Sequence, residues 1–517
     1  MMVAMTAATM LTAQRPLDWG DQGNGTYKNP VLNADYSDPD VIRVDDKYYM
    51  VASDFHFIGM QVLESNDLVN WHIISQIYNR FDLPGWDENA HYGGGSWAPS
   101  IRFHDGLYYV YFCTPDEGLF MSTAKDPHGP WSPLHCLKAV EKWEDPCPFW
   151  DDDGQAYLGR SQWGAGPIIV HRMTADGKEL LDDGVTVYTG PVAEGTKFLK
   201  RNGYYYLIIP EGGVGTGWQT VLRSRNIYGP YEKRIVLEQG STDVNGPHQG
   251  ALVDTPDGTW WFFHFQETHP AGRVVHMQPA RWVDDWPLIG VDIDGNGIGE
   301  PVAVWTSPST LYRSPSASTD GLSPSGLPLC WQWNHNPVDS AWHPLPSSGG
   351  VGGGFSSGGA GGGISFHILP AATMKDSRNM LTQKTVGFES EATVSIDVSQ
   401  LREGDHAGLL CMGKQFMGVG VCKKDGRYHF YFEDDGQQQL IDTFQRKTVF
   451  LRVTIDSSNN RHQFSVSLDG RKFREIGRSF PLRMGYWKGS RIGVYSYAKG
   501  NTAGQVTFSD FRYDIIR

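Results

Sequence analysis

The sequence predicts an all-β protein in which a five-bladed β-propeller is followed by a β-sandwich. Three observations support this fold class: a turn-and-strand pattern that recurs five times, a second half made of alternating segments, and a composition with 61 glycines and 13% aromatic residues among 517 positions. Glycine favours tight turns and aromatic residues favour strands, whereas glycine disfavours long helices. The chain is long enough for two large all-β domains.

Each repeat consists of a tight turn followed by an aromatic-rich strand. Most of the turns contain Asp-Gly or Asn-Gly, the dipeptides that accept the positive φ angle of a β-hairpin. The turns lie 48 to 60 residues apart, which matches one four-stranded propeller blade per repeat, whereas β-sandwiches do not repeat at this period. We therefore assign residues 27–305 to the propeller. The repeated segments are DDKYYMV (45–51), DGLYYVY (105–111), DGQAYLG (153–159), NGYYYLI (202–208) and DGTWWFF (257–263).

The remaining residues are predicted to form a linker and a second domain. Residues 306–328 are rich in Ser, Thr and Pro, which is typical of a linker. Residues 329–517 are assigned to a β-sandwich, because segments such as ATVSIDV and QFSVSLD alternate in polarity between Gly, Asp and Asn residues. Within this domain, the glycine-rich stretch 347–363 is interpreted as a flexible loop without chemistry.

Residues 1–26 are predicted to be an N-terminal tail. Residues 3–13 (VAMTAATMLTA) resemble the apolar core and cleavage end of a secretory signal, although no Lys or Arg precedes them. This pattern favours a secreted or periplasmic protein, with a cytoplasmic protein as the alternative. No window of 18 apolar residues is present, so the sequence predicts no membrane span.

Charge and cysteine spacing disfavour several classes of partner. Lys and Arg (44) minus Asp and Glu (58) give a net charge of −14, which disfavours a nucleic-acid backbone or an anionic membrane surface. A neutral or cationic substrate fits this charge better. The six cysteines include no CxxC spacing, so we predict neither a zinc site nor a disulfide framework. Nothing in the sequence indicates the oligomeric state.

The repeat also predicts which polar residues face the propeller axis. The first strand of each blade starts near the axis, so residues before the repeated turns should gather at one end of the central channel. Like charges crowded in a cleft raise one another's pKa, which lets one carboxyl group stay protonated while another is ionised. Such a set suits general acid and base work, although chemistry alone does not assign the roles. The equivalent positions are Asp38, Ala98 beside Trp97, Asp145, Glu194 and His248.

Around these positions the sequence resembles glycoside hydrolase family 43, in its β-xylosidase and α-L-arabinofuranosidase branch. The resemblance covers nearly the whole chain and includes a C-terminal β-sandwich of the concanavalin-like type. The sequence departs from the family at Glu144, where an apolar residue is common, and at Cys147. The matching segments are NPVLNADYSDPDVIRVDDKYYMVASDF (29–55), WAPSI (97–101), EDPCPFWDDDGQAYL (144–158), AEGTKFLKRNGYYYL (193–207), GRVVHMQPARW (272–282), WQWNHNP (331–337) and RIGVYSY (491–497).

The resemblance implies a role for each axial carboxylate. Asp38 is the expected general base that activates water, and Glu194 is the expected general acid that protonates the leaving oxygen. Asp145 is expected to raise the pKa of the acid and hold it in place. Members of the family invert the anomeric configuration, for which base and acid stand roughly 6.5–9.5 Å apart.

The resemblance also implies substrate and cation contacts. Phe55 and Trp97 match positions that wall the sugar pocket, and Phe149 is placed in the same substrate-binding set. Arg273 matches an arginine that reaches substrate hydroxyl groups. His248 matches a histidine that faces a bound cation or water in the channel. No cofactor is expected to be required, and the propeller channel is a possible site for Ca²⁺.

The resemblance therefore implies an exo-acting glycoside hydrolase that releases terminal xylose or arabinofuranose from xylo- or arabinoxylo-oligosaccharides of plant cell walls. The C-terminal sandwich is expected to close one side of the pocket. Two alternatives stay open: a propeller that binds glycans without cleaving them, and another furanosidase of the five-bladed group that cleaves fructan or arabinan. The fructan-cleaving group has Asp-Pro-Asn and Glu-Cys segments, where this chain has Asp-Pro-Asp and Glu-Gly. The preferred pentose is not indicated.

Overall fold

The computed structural model describes residues 20–268, 270–308, 323, 325–345, 362–500 and 504–516. In these residues the regular structure consists of β-strands and two 3-10 helical turns, Asp339–Ala341 and Met374–Asp376, which confirms the all-β prediction. The signal-like segment 3–13, residues 347–361 of the glycine-rich stretch and most of the predicted linker lie outside the described residues. No helix in the described part of the chain has the length and apolar character needed to cross a membrane.

Strand β1, Thr26–Lys28, precedes five four-stranded antiparallel sheets, each built from four consecutive strands. The repeated turn joins the first and second strands of every blade, so the five-bladed propeller is confirmed. The first three blades comprise β2 Ser37–Val44, β3 Lys47–Ser53, β4 Gln61–Ser65 and β5 His72–Gln76; β6 Trp97–His104, β7 Leu107–Thr114, β8 Gly118–Ala124 and β9 His135–Ala139; and β10 Trp143–Trp150, β11 Ala156–Gln162, β12 Ile168–Met173 and β13 Val185–Tyr188. The last two comprise β14 Lys197–Arg201, β15 Tyr204–Glu211, β16 Trp218–Ser224 and β17 Glu232–Leu237; and β18 His248–Asp254, β19 Trp260–Thr268, β20 Gly272–Val283 and β21 Trp286–Ile289.

The repeated aromatic strands form the core of the propeller. The second strands carry rings that are fully buried, such as Tyr111, Tyr206 and Phe263. Tyr49 of the first blade packs edge-on against Tyr108 of the second, with ring centroids 5.2 Å apart. Full burial of a side chain such as Phe contributes about 1.5–3 kcal/mol. Much of the aromatic content therefore stabilises the propeller and does not contact a ligand.

The propeller ring closes through contacts between its two ends. After the fifth blade, β22 Val304–Thr306 pairs antiparallel with β1, and Tyr27 lies opposite Trp305. Arg43 of the first blade also forms an ion pair with Asp254 of the fifth, with Nη2 and Oδ2 2.8 Å apart. The start and the end of the propeller sequence are therefore neighbours in the folded domain.

Two seven-stranded antiparallel sheets form the C-terminal β-sandwich, as predicted. None of the six cysteines, all of which lie in described residues, takes part in a disulfide bond. The strands are β23 Gln332–Trp333, β24 Trp342–Leu345, β25 Gly363–His367, β26 Asn379–Lys384, β27 Glu389–Asp397, β28 Asp405–Met412, β29 Phe416–Lys424, β30 Arg427–Asp434, β31 Gln437–Phe444, β32 Thr448–Asp456, β33 Arg461–Ser467, β34 Arg474–Phe480, β35 Arg491–Ala498 and β36 Gln505–Ile515. One sheet has the order β23-β26-β35-β28-β29-β30-β31, and the other has the order β24-β25-β36-β27-β32-β33-β34.

Buried ion pairs join the sandwich to the first blade. Lys384, at the end of β26, lies 2.9 Å from a carboxylate oxygen of Asp54, and Lys488, just before β35, lies 2.8 Å from one of Asp35. All four residues are buried. Burial alone would raise the pKa of Asp54, but the charges of Lys384 and Lys488 outweigh it and lower that pKa. Removal of one partner from such a pair leaves an uncompensated buried charge and costs about 3–5 kcal/mol, so these contacts favour one arrangement of the sandwich on the propeller.

Candidate active site

The starts of the inner strands surround a cavity of about 140 Å³. The three predicted carboxylates, Asp38, Asp145 and Glu194, line this cavity together with His248 and Arg273. They come from the first, third and fifth blades and from the segment that enters the fourth. The structure therefore brings together the residues that the sequence repeat aligns.

A local irregularity of the backbone turns these side chains toward the cavity. Near the start of the first strand of their blades, Asp38, Ala98 and Asp145 have positive φ angles of 56°, 35° and 55°. A positive φ angle is uncommon outside glycine, although Asp tolerates it, and β-bulges re-aim side chains beside active sites. In four blades the register between the first two strands shifts near its start, between Ser37 and Asp40, Trp97 and Ser100, Glu144 and Cys147, and His248 and Gly250.

Asp38 is buried and held by hydroxyl groups. Its Oδ2 accepts hydrogen bonds from Ser37 Oγ over 2.8 Å and from Ser53 Oγ over 2.5 Å. Arg273 Nη1 lies 3.6 Å from Asp38 Oδ1 and donates a hydrogen bond to Ser37 Oγ over 2.9 Å. Hydroxyl donors and a nearby guanidinium stabilise the negative charge of a carboxylate. Asp38 is therefore held in the cavity wall with Oδ2 bonded to two hydroxyl groups and Oδ1 near the guanidinium of Arg273.

Glu194 enters the cavity just before β14, and its side chain is 24% exposed. His248 Nε2 lies 3.1 Å from Glu194 Oε2. The imidazole ring is buried and packs beside Phe265, with ring centroids 5.5 Å apart. Because His248 cannot move freely in this packing, its contact orients the Glu194 carboxyl group.

Asp145 is buried and linked to the backbone beside Glu194. Its Oδ2 accepts hydrogen bonds from Ser161 Oγ and from the Gly195 backbone amide, both over 2.7 Å, and its Oδ1 accepts one from Gln249 Nε2 over 3.1 Å. Burial, followed by the negative charge of Glu194, raises the pKa of Asp145 despite these donors. The Gly195 amide thus ties the positions of the two acidic residues together.

A fourth carboxyl group lines the same cavity, that of Glu144, at which the sequence departs from the family pattern. The residue is 7% exposed and directly precedes Asp145. In the part of the chain that the structure describes, its carboxyl group has no hydrogen-bond or ion-pair partner. Burial, followed by the charges of Asp145, Glu194 and Asp38, raises the pKa of Glu144 to about 9. Its side chain is therefore a neutral carboxylic acid at pH 7.

Aromatic rings wall the cavity. Phe55 and Trp97, which were predicted, pack with ring centroids 6.2 Å apart. Trp97 also packs edge-on against Trp163 of the third blade at 6.1 Å and against Trp487 of the sandwich at 6.4 Å. Trp163 and Trp487 are 50% and 47% exposed, so both present ring surface to a ligand. The sandwich therefore forms one side of the cavity, as predicted.

Phe149 requires a correction, because it does not lie among the residues that line the cavity. Its ring stacks on that of Phe198 with centroids 5.2 Å apart and meets Tyr205 edge-on at 6.1 Å. Phe149 lies near the far end of β10, four residues beyond Asp145, and a strand rises about 3.3 Å per residue. The side chain is therefore carried away from the cavity into the packing between the third and fourth blades.

The side chains around His248 do not fit a calcium site held by the protein. Calcium takes about six to eight oxygen ligands. Among the described residues, no group of three or more His, Cys, Asp or Glu side chains could hold a metal ion. His248 Nε2 faces Glu194, and its Nδ1 is buried without a hydrogen-bond partner.

The site combines four carboxyl groups, two of them with a raised pKa, with an arginine and exposed aromatic rings. Paired carboxyl groups of this kind suit hydrolysis of a glycosidic bond, in which one group activates water and another protonates the leaving oxygen. Exposed indole rings provide flat surfaces against which sugar rings stack. The fold and the site together therefore define a glycoside hydrolase.

Comparison with known proteins gives the family. The model of Glycosyl hydrolases family 43 matches residues 27–287, and the model of the beta xylosidase C-terminal concanavalin A-like domain matches residues 320–514. The chain belongs to glycosyl hydrolase family 43.

Relatives match over most of the chain. A protein of Xylanibacter ruminicola that is provisionally named a beta-xylosidase is 62% identical over 476 residues, which cover 92% of this chain and 87% of the relative. A beta-xylosidase of Formosa agariphila is 34% identical, over 96% of this chain and 91% of its own. A non-reducing end alpha-L-arabinofuranosidase of Bacteroides ovatus is 26% identical, over 94% of both chains.

Solved structures share the two-domain architecture. A GH43 glycoside hydrolase engineered to display both endo-xylanase and exo-arabinofuranosidase activity superposes with a TM-score of 0.82 at 25% identity, over 95% of this chain and all of its own. A bifunctional GH43-CE protein of Bacteroides eggerthii gives a TM-score of 0.80 at 28% identity. That match covers 94% of this chain and 63% of the Bacteroides eggerthii chain.

The raised pKa of Glu144 predicts a pH-dependent effect of Glu144→Gln on stability. The folded protein holds this proton up to about pH 9, whereas an unfolded chain releases it near pH 4.3. Between these values the folded state binds the extra proton, so stability falls as pH rises. The amide carries no such proton. We therefore expect the melting temperature of E144Q, relative to wild type, to increase steadily from pH 5 to pH 9.

The matched control is Glu141→Gln, three residues earlier in the chain and exposed. Its melting temperature relative to wild type should stay constant over the same pH range. A constant difference for E144Q as well would contradict a protonated Glu144.

Proposed function

We propose that the protein is an exo-acting glycosidase that releases terminal xylose, arabinofuranose or both from xylo- and arabinoxylo-oligosaccharides of plant cell walls, with inversion at the anomeric carbon. The observation that carries the proposal is the small cavity that holds Asp38, Asp145 and Glu194. Its volume suits one terminal sugar ring better than the middle of a polymer. Relatives named for beta-xylosidase and for alpha-L-arabinofuranosidase activity support both pentoses as substrates.

In this proposal Asp38 is the general base. A water molecule in the cavity gives its proton to Asp38 as its oxygen attacks the anomeric carbon. The hydroxyl groups of Ser37 and Ser53 keep one carboxylate oxygen occupied, which leaves Oδ1 as the acceptor. Arg273, close to Oδ1, stabilises the anion before the proton arrives and helps to orient the sugar.

Glu194 is the general acid in this proposal. It donates its proton to the leaving oxygen while the bond from that oxygen to the anomeric carbon breaks. Its side chain is the more exposed of the two carboxyl groups, which suits an acid that meets the leaving group near the mouth of the cavity. The Gly195 amide, bonded to Asp145, fixes the backbone beside Glu194, and His248 keeps the carboxyl group in position.

Substitution of the two proposed catalytic residues should abolish most of the activity. Positioned acid and base groups contribute about 10²–10⁴-fold in rate. We expect Asp38→Ala to lose at least about 100-fold in kcat on xylobiose and on nitrophenyl xyloside alike. Glu194→Ala should lose this much on xylobiose but less on nitrophenyl xyloside, because nitrophenolate leaves with little help from an acid.

The control for these variants is Asp46→Asn, in the exposed turn after β2, which should keep wild-type kinetics on both substrates. Parallel kinetics on nitrophenyl xyloside and nitrophenyl arabinofuranoside measure the pentose preference. Normal turnover by either alanine variant on xylobiose would exclude the assigned roles.

The inverting mechanism predicts the configuration of the sugar that forms first. A single displacement by water turns a β-xyloside into α-xylose. Proton NMR of the reaction, recorded before mutarotation, should therefore show the α-anomer signal rising first. Initial appearance of β-xylose would indicate a covalent intermediate and retention, as in the fructan-cleaving enzymes of the five-bladed group.

We also propose that hydrolysis requires no metal ion, because a base and an acid of the chain account for both proton transfers. Activity should therefore survive incubation with EDTA and gel filtration. Loss of activity that added Ca²⁺ restores would instead support a calcium ion in the channel near His248.

We place the protein in the periplasm or outside the cell, with the cytoplasm as the alternative. The support for this location is the signal-like segment 3–13. Oligosaccharides of plant cell walls would reach the protein in any of these locations. Fractionation of cells that make the protein distinguishes a periplasmic or secreted protein from a cytoplasmic one.

A further inference from the structure

Glu144 is the buried ionisable group of the cavity that the proposed mechanism does not use. It lies at the start of β10, where its backbone pairs with Ser161 of the neighbouring strand. Its side chain lines the cavity although the residue is almost fully buried. A buried polar group without a partner is unfavourable, and such groups are normally hydrogen-bonded. Among the described residues none supplies such a partner to Glu144. The partner is therefore expected from the cavity that its side chain lines.

We propose that Glu144 is a substrate-binding residue that hydrogen-bonds a hydroxyl group of the terminal sugar and thereby helps to select the substrate. This inference rests on the proposed function, because it assigns the sugar to this cavity. It concerns binding, and it leaves the roles of Asp38 and Glu194 unchanged.

The electrostatic surroundings determine the form in which Glu144 acts. Asp38, Asp145 and Glu194 all disfavour a further negative charge. The basic groups of the cavity are committed elsewhere, since Arg273 contacts Asp38 and Glu267, and His248 contacts Glu194. The buried thiol of Cys113 also lies within electrostatic reach of Glu144 and offers no positive charge.

A neutral carboxylic acid has the hydrogen-bonding capacity of a good partner for a sugar hydroxyl. It carries one O–H donor and a carbonyl acceptor, while a hydroxyl group also donates and accepts. A site built to hydrogen-bond a substrate hydroxyl rejects analogues that lack it, because its own polar group is then left unpaired. An apolar side chain at this position would fill the space without this discrimination.

The test compares wild type, Glu144→Gln and Glu144→Leu on whichever nitrophenyl pentoside the wild type cleaves faster and on its monodeoxy analogues. The amide also donates and accepts, so E144Q should keep kcat/KM within about threefold. E144L loses one neutral hydrogen bond and should fall by about tenfold, mainly through KM. On one deoxy analogue, wild type and E144L should differ by less than about twofold, because the hydroxyl that Glu144 contacts is already absent.

Melting temperatures show whether each variant is folded, and Glu144→Met replaces the leucine variant if that one is unstable. Equal kcat/KM for wild type and the apolar variant on the parent glycoside would overturn the inference. So would a tenfold loss that persists on every deoxy analogue, since that pattern indicates a general distortion of the cavity. A wild type that cleaves no pentoside refutes the proposed function itself, whereas an active wild type with an unaffected apolar variant refutes the role of Glu144 alone.

Discussion

The site depends on confining four carboxyl groups to one small, largely buried cavity. Asp38, Asp145, Glu194 and Glu144 cannot all be ionised there, because each negative charge raises the cost of the next. The surrounding donors decide where the charge is tolerated: two hydroxyl groups hold Asp38, a hydroxyl and two amides hold Asp145, and an imidazole holds Glu194. Within the described part of the chain Glu144 has no such donors, and its raised pKa keeps the carboxyl group protonated. The four carboxyl groups of the cavity thus lie in four different hydrogen-bonding environments.

Much of this arrangement could be predicted from the sequence, because each repeat of a propeller forms one blade and equivalent residues of the repeats occupy equivalent places around the axis. Residues at equivalent places in the repeats meet at the axis, so Asp38, Asp145, Glu194 and His248 could be aligned without knowing any distance. The bulges that aim the side chains could not be anticipated in detail. The sequence feature that accompanies two of these bulges is an Asp-Pro dipeptide, which is equally typical of an ordinary turn.

The parts that sequence reasoning missed depend on contacts outside the repeat. Trp487 reaches the cavity from the sandwich, and buried ion pairs such as Lys488 with Asp35 bring its loop there. No periodic pattern links two different domains. Whether the carboxyl group of Glu144 has a hydrogen-bond partner depends on all of its neighbours together. Phe149 was predicted to bind the substrate because family likeness does not show how far along a strand the cavity extends.

The pairing of β1 with β22 affects how the chain can reach its native state. The two strands are separated by about 275 residues of sequence, and contacts of such high separation form late because they require closure of a long loop. During synthesis, β1 leaves the ribosome long before β22 exists, and it stays unpaired with β22 until the chain beyond the fifth blade has emerged. The sandwich strands follow β22 in the sequence, so the residues that bind Asp35 and Asp54 are made only after every strand of the ring.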